Sequence, residues 1–428
     1  MAKFVAMPDH PASDHPAPDH PASDHLAVIS ADGHAGADLH AYRDYLDPAW
    51  HDEFDAWAAS FVNPYGDRLL SERPDCNWDS DLRTSQLEAD GIVAEVVYPN
   101  TIPPFYPEPS LKVQVPGASQ GDLALRWAGL RAHNRWLVDF CQAAPGRRAG
   151  IVQIMLHDVD AAVAEIEWAA GAGLRGGVLL PGAPPGSGLE PLYSPAYEPL
   201  WAACEAAGLV VNHHSGSAVP PLGDQPIDQV TFLLEVTWYA HRALWNLVFG
   251  GVMDRHPDLQ FVFTEQGTAW IPETLLTLDY FFHRMGTAVG SQEYEWGHPV
   301  VADLDLRPSE YWARQCHVGS SFMRPPEAAL RHSVGLDRIM WGSDYPHKES
   351  CFPYSRQALR AAFAGIDPVE VQAMVGGNAA PVYGFDMAAL AEVAATVGPT
   401  HDEIAEPLAA ADVPAEAGRC PAFVGLGA

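Results

Sequence analysis

The chain has 428 residues, 48% of them hydrophobic, enough to bury a large core in one barrel with insertions or in two ordinary domains. Against 24 basic residues stand 55 acidic ones, and the formal charge of −31 repels phosphate backbones and anionic lipid, which argues against nucleic acid or a membrane surface as partner. Cys76, Cys141, Cys204, Cys316, Cys351 and Cys420 are scattered without a C-x-x-C pair, and neither a long apolar run nor a signal-peptide core is present, so free thiols in a soluble cytoplasmic protein are expected.

Residues 8–25 repeat Asp-His-Pro every five residues, with no apolar periodicity, and residues 1–25 are expected to form a disordered tail. Its histidines, His10, His15, His20 and His25, lack the restraint that makes a defined metal site. From residue 26 short apolar runs alternate with longer amphipathic stretches, the pattern of repeated β-α units. Strands are predicted at 26–31, 92–98, 150–155, 175–180, 208–213, 259–264, 316–320 and 338–343. Helices are predicted at 122–143, 158–172, 195–206, 229–255, 269–285, 325–334 and 355–365. Eight strands alternating with helices predict an α/β fold, a (β/α)8 TIM barrel spanning 26–385.

Two stretches depart from the repeating unit. Residues 35–91 read as an insertion over the barrel mouth, and 99–121 is too rich in proline for a helix. Both are expected to cover substrate, with Trp78 and Phe105 either walling the pocket or packing the loops. Residues 386–428 are expected to be a helical or partly loose extension.

The first strand runs into Ala31-Asp32-Gly33-His34, where two donors two residues apart share one face of an extended chain. The fifth ends in His213 and His214, only one of which can face inward, and the eighth delivers Asp344 after a buried run. Each alone has an ordinary explanation as a cap, a packed imidazole or an ion-pair partner. Together they fall at the C-terminal ends of strands one, five and eight, where this fold builds active sites. Two carboxylates converging there repel each other unless a cation lies between them.

The runs ADGH, GLVVNHHSG, FVFTEQGTAWIP, DRIMWGSDYPHKE and GGNAAPVYGF, in this order, resemble the motif series of the amidohydrolase-related family that includes aminocarboxymuconate semialdehyde decarboxylase and γ-resorcylate decarboxylase. The resemblance implies one zinc or manganese ion held by Asp32, His34, His214 and Asp344; its His-small-Gly register favours His214 over His213. Two departures stand out. Several relatives carry a catalytic His just after strand six, where this chain has Glu265, and His347 follows Asp344 where the decarboxylases usually carry an apolar residue.

These features point to a metal-dependent enzyme acting on a small carboxylated or carbonyl compound, by hydrolysis or by non-oxidative decarboxylation. Asp344 is the expected proton-transfer group, with Glu265 and His347 as candidates for the second acid-base role. Trp238, Tyr239, His241 and Arg242 lie on the helix after strand five, where an arginine is suited to a substrate carboxylate. The alternative is a non-catalytic metal-binding or scaffold protein with the Asp-His-Pro tail as its working part. A homodimer is compatible with either.

Overall fold

A computed structural model describes residues 24–61, 74–100, 104–105, 120–220, 223 and 225–425. The strands are β1 (Val28–Ala35), β2 (Ile92–Pro99), β3 (Arg148–Gly150, resuming after Ile151 as Val152–Gln153), β4 (Val178–Leu179), β5 (Val211–His214), β6 (Phe261–Thr264), β7 (Cys316–Ser321) and β8 (Ile339–Gly342). Every neighbouring pair is parallel. Ile151 carries the ladder through the break in β3: its N–H donates to Val97, while the Gly150 carbonyl accepts from Gly176 and the Val152 N–H donates to Gly177. The circle closes where Asp344 N–H donates to the Asp32 carbonyl at 2.8 Å and His34 N–H donates to the Tyr345 carbonyl at 2.7 Å. Eight parallel strands therefore form a closed barrel, as the alternating pattern predicts.

Parallel strands covered on both faces read as near-continuous apolar runs, and here they divide between two cores. Val28, Val97, Val152, Val211, Phe261 and Val318 pack outward against the helices. Ile29, Ala31, Val93, Ile151, Val210, Val262 and Met340 fill the lumen, which Ala379, Tyr383, Leu390 and Ala394 close from the N-terminal end of the strands. The segment after residue 386 thus begins as a packed helix, Met387–Val397.

Several boundaries differ from the sequence expectation. Residues 35–91 are not wholly an insertion: the Ser80–Ala89 helix is the crossover that leads into β2. It escapes hydropathy reading because its buried face includes Arg83, whose guanidinium donates twice to the buried Glu95 carboxylate of β2, at 2.6 and 2.8 Å. The helix expected over 229–255 begins at Pro226, stops at Gly250 and resumes for one turn at Val252–Arg255. The 325–334 helix is two single turns, Pro325–Ala328 and Arg331–Val334. The expected tail lies outside the described residues up to 23, whereas His25 pairs with Thr400 and its Nδ1 lies 2.7 Å from the Gly398 carbonyl. Most of 99–121 also lies outside them. Phe105 is buried edge-on against Phe54 and packs beside Trp57, and Trp78 is a half-buried packing residue, so both are loop-packing side chains.

Candidate metal centre

Strand β1 runs through Ala35, so Asp32 and His34 belong to the strand itself. Its register against β2 shifts between Ser30 and Gly33. Such an irregularity inserts a residue and re-aims the chain, moving inward orientation from the odd positions Ile29 and Ala31 to the even positions Asp32 and His34. Three consecutive strands then end in left-handed backbone at non-glycine residues: Glu265 after β6 (φ 55°), Phe322 after β7 (φ 56°) and Asp344 after β8 (φ 60°). Each such residue costs about 1–3 kcal/mol, and at Glu265 and Asp344 the turn brings a carboxylate of the rim into the cluster.

Asp32 Oδ1 lies 3.2 Å from His34 Nε2 and 3.5 Å from His214 Nε2, and Asp344 Oδ1 lies 3.1 Å from His34 Nε2. These contacts have the wrong angles for hydrogen bonds. Asp32 Oδ1, His34 Nε2, His214 Nε2 and Asp344 Oδ2 are all buried with no hydrogen-bond partner among the described residues. Donors bound at roughly 2.0–2.2 Å to a common ion sit about 3–3.5 Å from one another, the spacing of Asp32 from His34 and His214 and of Asp344 from His34; the donors gather as Asp32, His34 and His214 and as His34, Asp344 and His347, with His34 common to both. Two carboxylate oxygens and two imidazole nitrogens suit zinc or manganese, so the residues present fit a divalent ion.

The electrostatics say the same. Burial opposes charge on His34, but the close carboxylates of Asp32 and Asp344 raise its pKa well above the ordinary range. Burial likewise opposes ionisation of Asp32, yet His214 and His34 hold its carboxyl well below the usual value. For Asp344, the opposing burial is overcome by the charge of His347 and the nearness of the His34 imidazole. Without a cation, this site keeps its acids ionised only by keeping its histidines protonated.

Glu265 reaches the same cluster from β6. Its Oε2 accepts from the Ser215 hydroxyl at 2.7 Å and lies 3.4 Å from His214 Nδ1. Burial and the Asp344 charge push its carboxyl up to about 7. His347 joins from the β8 loop, with Nδ1 2.9 Å from Asp344 Oδ1 and its ring stacked on His34 at 4.2 Å between centroids. His213 turns away; its Nδ1 lies 3.3 Å from the Leu180 carbonyl, and burial depresses its pKa to about 4. On the Pro226–Phe249 helix, His241 stacks on Trp270 at 3.8 Å, while Trp238 is 52% exposed and outside the cluster.

Three contributors are not apparent from the motifs. Ser321, the last residue of β7, donates its hydroxyl to Asp32 Oδ2. Tyr98, near the end of β2, lies 4.8 Å from the His214 ring and 5.7 Å from the His34 ring, and shares a 2.7 Å hydrogen bond with Thr264. Asn100, just beyond β2, places Oδ1 3.0 Å from His347 Nε2. The available signal was positional, since all three stand at C-terminal strand ends.

A search of curated protein sequences finds no match. Among solved structures, a 5-carboxyvanillate decarboxylase from Sphingomonas paucimobilis is similar at TM-score 0.57 and 22% identity, covering 84% of this chain and 100% of that one. A 2,6-dihydroxybenzoate decarboxylase from Rhizobium is similar at TM-score 0.58 and 18% identity, covering 84% and 99%. A 5-carboxyvanillate decarboxylase from Novosphingobium aromaticivorans, complexed with manganese and 4-hydroxy-3-methoxy-5-nitrobenzoic acid, is similar at TM-score 0.60 and 19% identity, covering 84% and 97%. No described helix is long and apolar enough to cross a membrane. The profile of the amidohydrolase family matches residues 37–385, most of the barrel with Glu265, His214 and Asp344 inside it, and the chain belongs to that family.

Proposed function

We propose that this chain is a metal-dependent carboxy-lyase that removes carbon dioxide from a small aromatic carboxylic acid, with Asp32, His34, His214 and Asp344 as ligands of one manganese or zinc ion. The observation that carries the reading is the convergence of four buried, unpartnered donor atoms at the end of the barrel where such folds work. The similarity to decarboxylases of hydroxylated benzoates supports the reaction class. A bound ion supplies positive charge to hold substrate oxygens and offset negative charge developing on the substrate.

The chain's own residues handle the proton. When the bond between ring carbon and carboxylate breaks, its electron pair stays on the ring carbon, which must then be protonated. Asp344 is the group placed to deliver that proton, and His347, hydrogen-bonded to it, is placed to supply it. Glu265, with its carboxyl near 7, supports a second reading, hydrolysis, in which it takes the proton from an attacking water near neutral pH. The assembled donor set favours catalysis over the scaffold alternative. In domain terms, we place the catalytic barrel at 26–385 and an extension at 386–428, whose first helix, Met387–Val397, helps close the lumen.

The test is to incubate manganese- or zinc-loaded protein with a panel of hydroxybenzoates and lactones while following carbon dioxide release and acid production. Carbon dioxide from a hydroxybenzoate is expected. Acid from a lactone alone would replace the first reading with the second, and neither product from fully loaded protein would overturn both.

We also propose a cytoplasmic homodimer. The six free cysteines suit a reducing compartment. Among the described residues, eleven of the fourteen exposed large hydrophobics lie between Ile227 and Val300, and together they expose on the order of 1,000 Å², comparable with one side of a stable interface. Sedimentation of Leu234→Glu as monomer and of the native chain as dimer is expected; a native monomer at micromolar concentration would remove the dimer.

A further inference from the structure

A buried carboxylate can meet a metal ion with one oxygen or with both, and what occupies the second oxygen decides which. The two oxygens of Asp32 have different surroundings. Oδ1 has no hydrogen-bond partner among the described residues and lies 3.2 Å from His34 Nε2 and 3.5 Å from His214 Nε2. Oδ2 accepts the hydroxyl hydrogen of Ser321. The side chain therefore shows one oxygen to the imidazoles and gives the other to β7.

The ends of β7 and β8 build this arrangement together, since Ser321 and Gly342 are register partners. A Cβ at Gly342 would lie 2.6 Å from the Asp32 Cβ and 3.1 Å from its backbone nitrogen, so a glycine is what lets β1 approach closely there. The Asp32 carbonyl is fastened as well, accepting from the Asp344 N–H at 2.8 Å and from the Ser30 hydroxyl at 2.7 Å. With the backbone pinned and Cβ hemmed in, the freedom that remains lies in the side-chain torsions. The Ser321 hydroxyl makes the one side-chain hydrogen bond of Asp32 among the described residues, and so it fixes them. Asp32 is fully buried, so losing that hydroxyl leaves Oδ2 either unpaired in the interior or turned toward the other donors.

We infer that Ser321 is a positioning residue for the metal centre: its hydroxyl holds Oδ2 back, so that Asp32 is a one-oxygen ligand through Oδ1. This rests on the reading of Asp32, His34, His214 and Asp344 as ligands of one ion. A carboxylate that binds through both oxygens takes two positions around an ion, and holding one oxygen back keeps a position for an oxygen of the substrate. Ser321 is not itself a ligand; it acts through Asp32.

The test uses the full-length protein, stripped of metal and titrated with zinc against a competing chromophoric chelator. Ser321→Ala is expected to weaken zinc binding about 10- to 100-fold, while Ser321→Thr, which keeps the hydroxyl, stays within about threefold of the native protein. Ser320→Ala removes a neighbouring buried hydroxyl that bonds Thr268 at 2.8 Å rather than Asp32, and it too is expected to bind zinc as the native protein does. Ser321→Val has the shape of the threonine variant without the hydroxyl, so that pair carries the comparison should Ser321→Ala fail to fold. Native affinity in Ser321→Ala or Ser321→Val overturns the proposal. So does an equal loss in Ser320→Ala, which would make the effect one of strand integrity. In crystals of the zinc-loaded native protein Asp32 is expected to bind through Oδ1 alone, and an Asp32 bound through both oxygens overturns the proposal whatever the affinities. Asp32→Asn separates the two readings: native affinity there overturns the ligand assignment and this inference with it, whereas lost affinity there beside native affinity in Ser321→Ala overturns this inference alone.

Discussion

The two ends of the barrel are built by opposite rules. At the C-terminal end of the strands, four donor atoms are buried without partners and three consecutive strands finish in left-handed backbone. At the other end, the chain spends its polar groups on itself. Leu26 N–H donates to the Pro399 carbonyl, His401 N–H donates to the Asp24 carbonyl, and Asn378 Nδ2 donates to the carbonyls of Leu336 and Ile339 at 2.8 and 2.7 Å. The Tyr383 hydroxyl reaches up the lumen to donate to Asn212 Oδ1 at 2.8 Å. Strain and unmet donors on one side persist because the other side and the apolar lumen over-determine the fold. The difference teaches that substitutions at the two ends should separate activity from stability.

The largest effect is expected at the open end. Asp344→Asn keeps the shape of the side chain but removes the charge and the carboxyl group proposed to hold the metal and carry the proton. Turnover is expected to fall by about three orders of magnitude or more, with bound metal per chain also reduced. The melting midpoint of the metal-free protein should move by only a few degrees. A collapse of that midpoint would show Asp344 to be a structural ion-pair member, and the contrast between the two ends would break.

What was legible in the sequence follows the same division. The eight strands were readable because parallel strands buried on both faces announce themselves as apolar runs, and Asp32, His34, His214 and Asp344 were readable as strand-end donors. The shift in β1 was not, since no residue type marks it, although without it the even positions would not face inward. The Ser80–Ala89 helix was missed because hydropathy cannot anticipate a buried Arg83 satisfied by Glu95 from the next strand. Asn100 was missed because its contact with His347 exists only once distant residues meet. The GGNAAPVYGF run is the instructive case: it belongs with the other motifs in sequence, yet Gly376 and Asn378 lie at the closed end, far in role from the donor cluster at the open one.

That run gives the second prediction. A Cβ at Gly376 would lie 2.1 Å from the Ala27 carbonyl oxygen, which is backbone at the start of β1 and cannot swing aside. Gly376→Ala is therefore expected to cost about 3 kcal/mol in chemical denaturation through overpacking. The folded fraction should retain its metal content and its specific activity. A variant of native stability with altered turnover would mean that the closed end is not simply a fastening.

The smallest effect is expected from one of the closed end's own exceptions. Asp90 caps the Ser80–Ala89 helix at the start of β2, accepts from the Ser355 N–H at 3.0 Å through Oδ1, and leaves Oδ2 buried without a partner among the described residues. Burial pushes its carboxyl up to about 7, with Arg356 only partly offsetting this. A carboxyl that titrates near 4 in the unfolded chain and near 7 when folded makes the native state hold more protons between those values. Its contribution to stability is complete below about pH 4 and is lost as the pH rises through 7. The full span is worth about 4 kcal/mol at most, of which the interval from pH 5 to pH 8 samples roughly 2 to 3. Asp90→Asn is neutral throughout, so denaturation at pH 5 and pH 8 should show the native protein losing stability across the interval and the variant losing less. Parallel losses in both would mean that Asp90 is already ionised in the fold, and that the closed end, like the open one, holds an uncompensated buried charge.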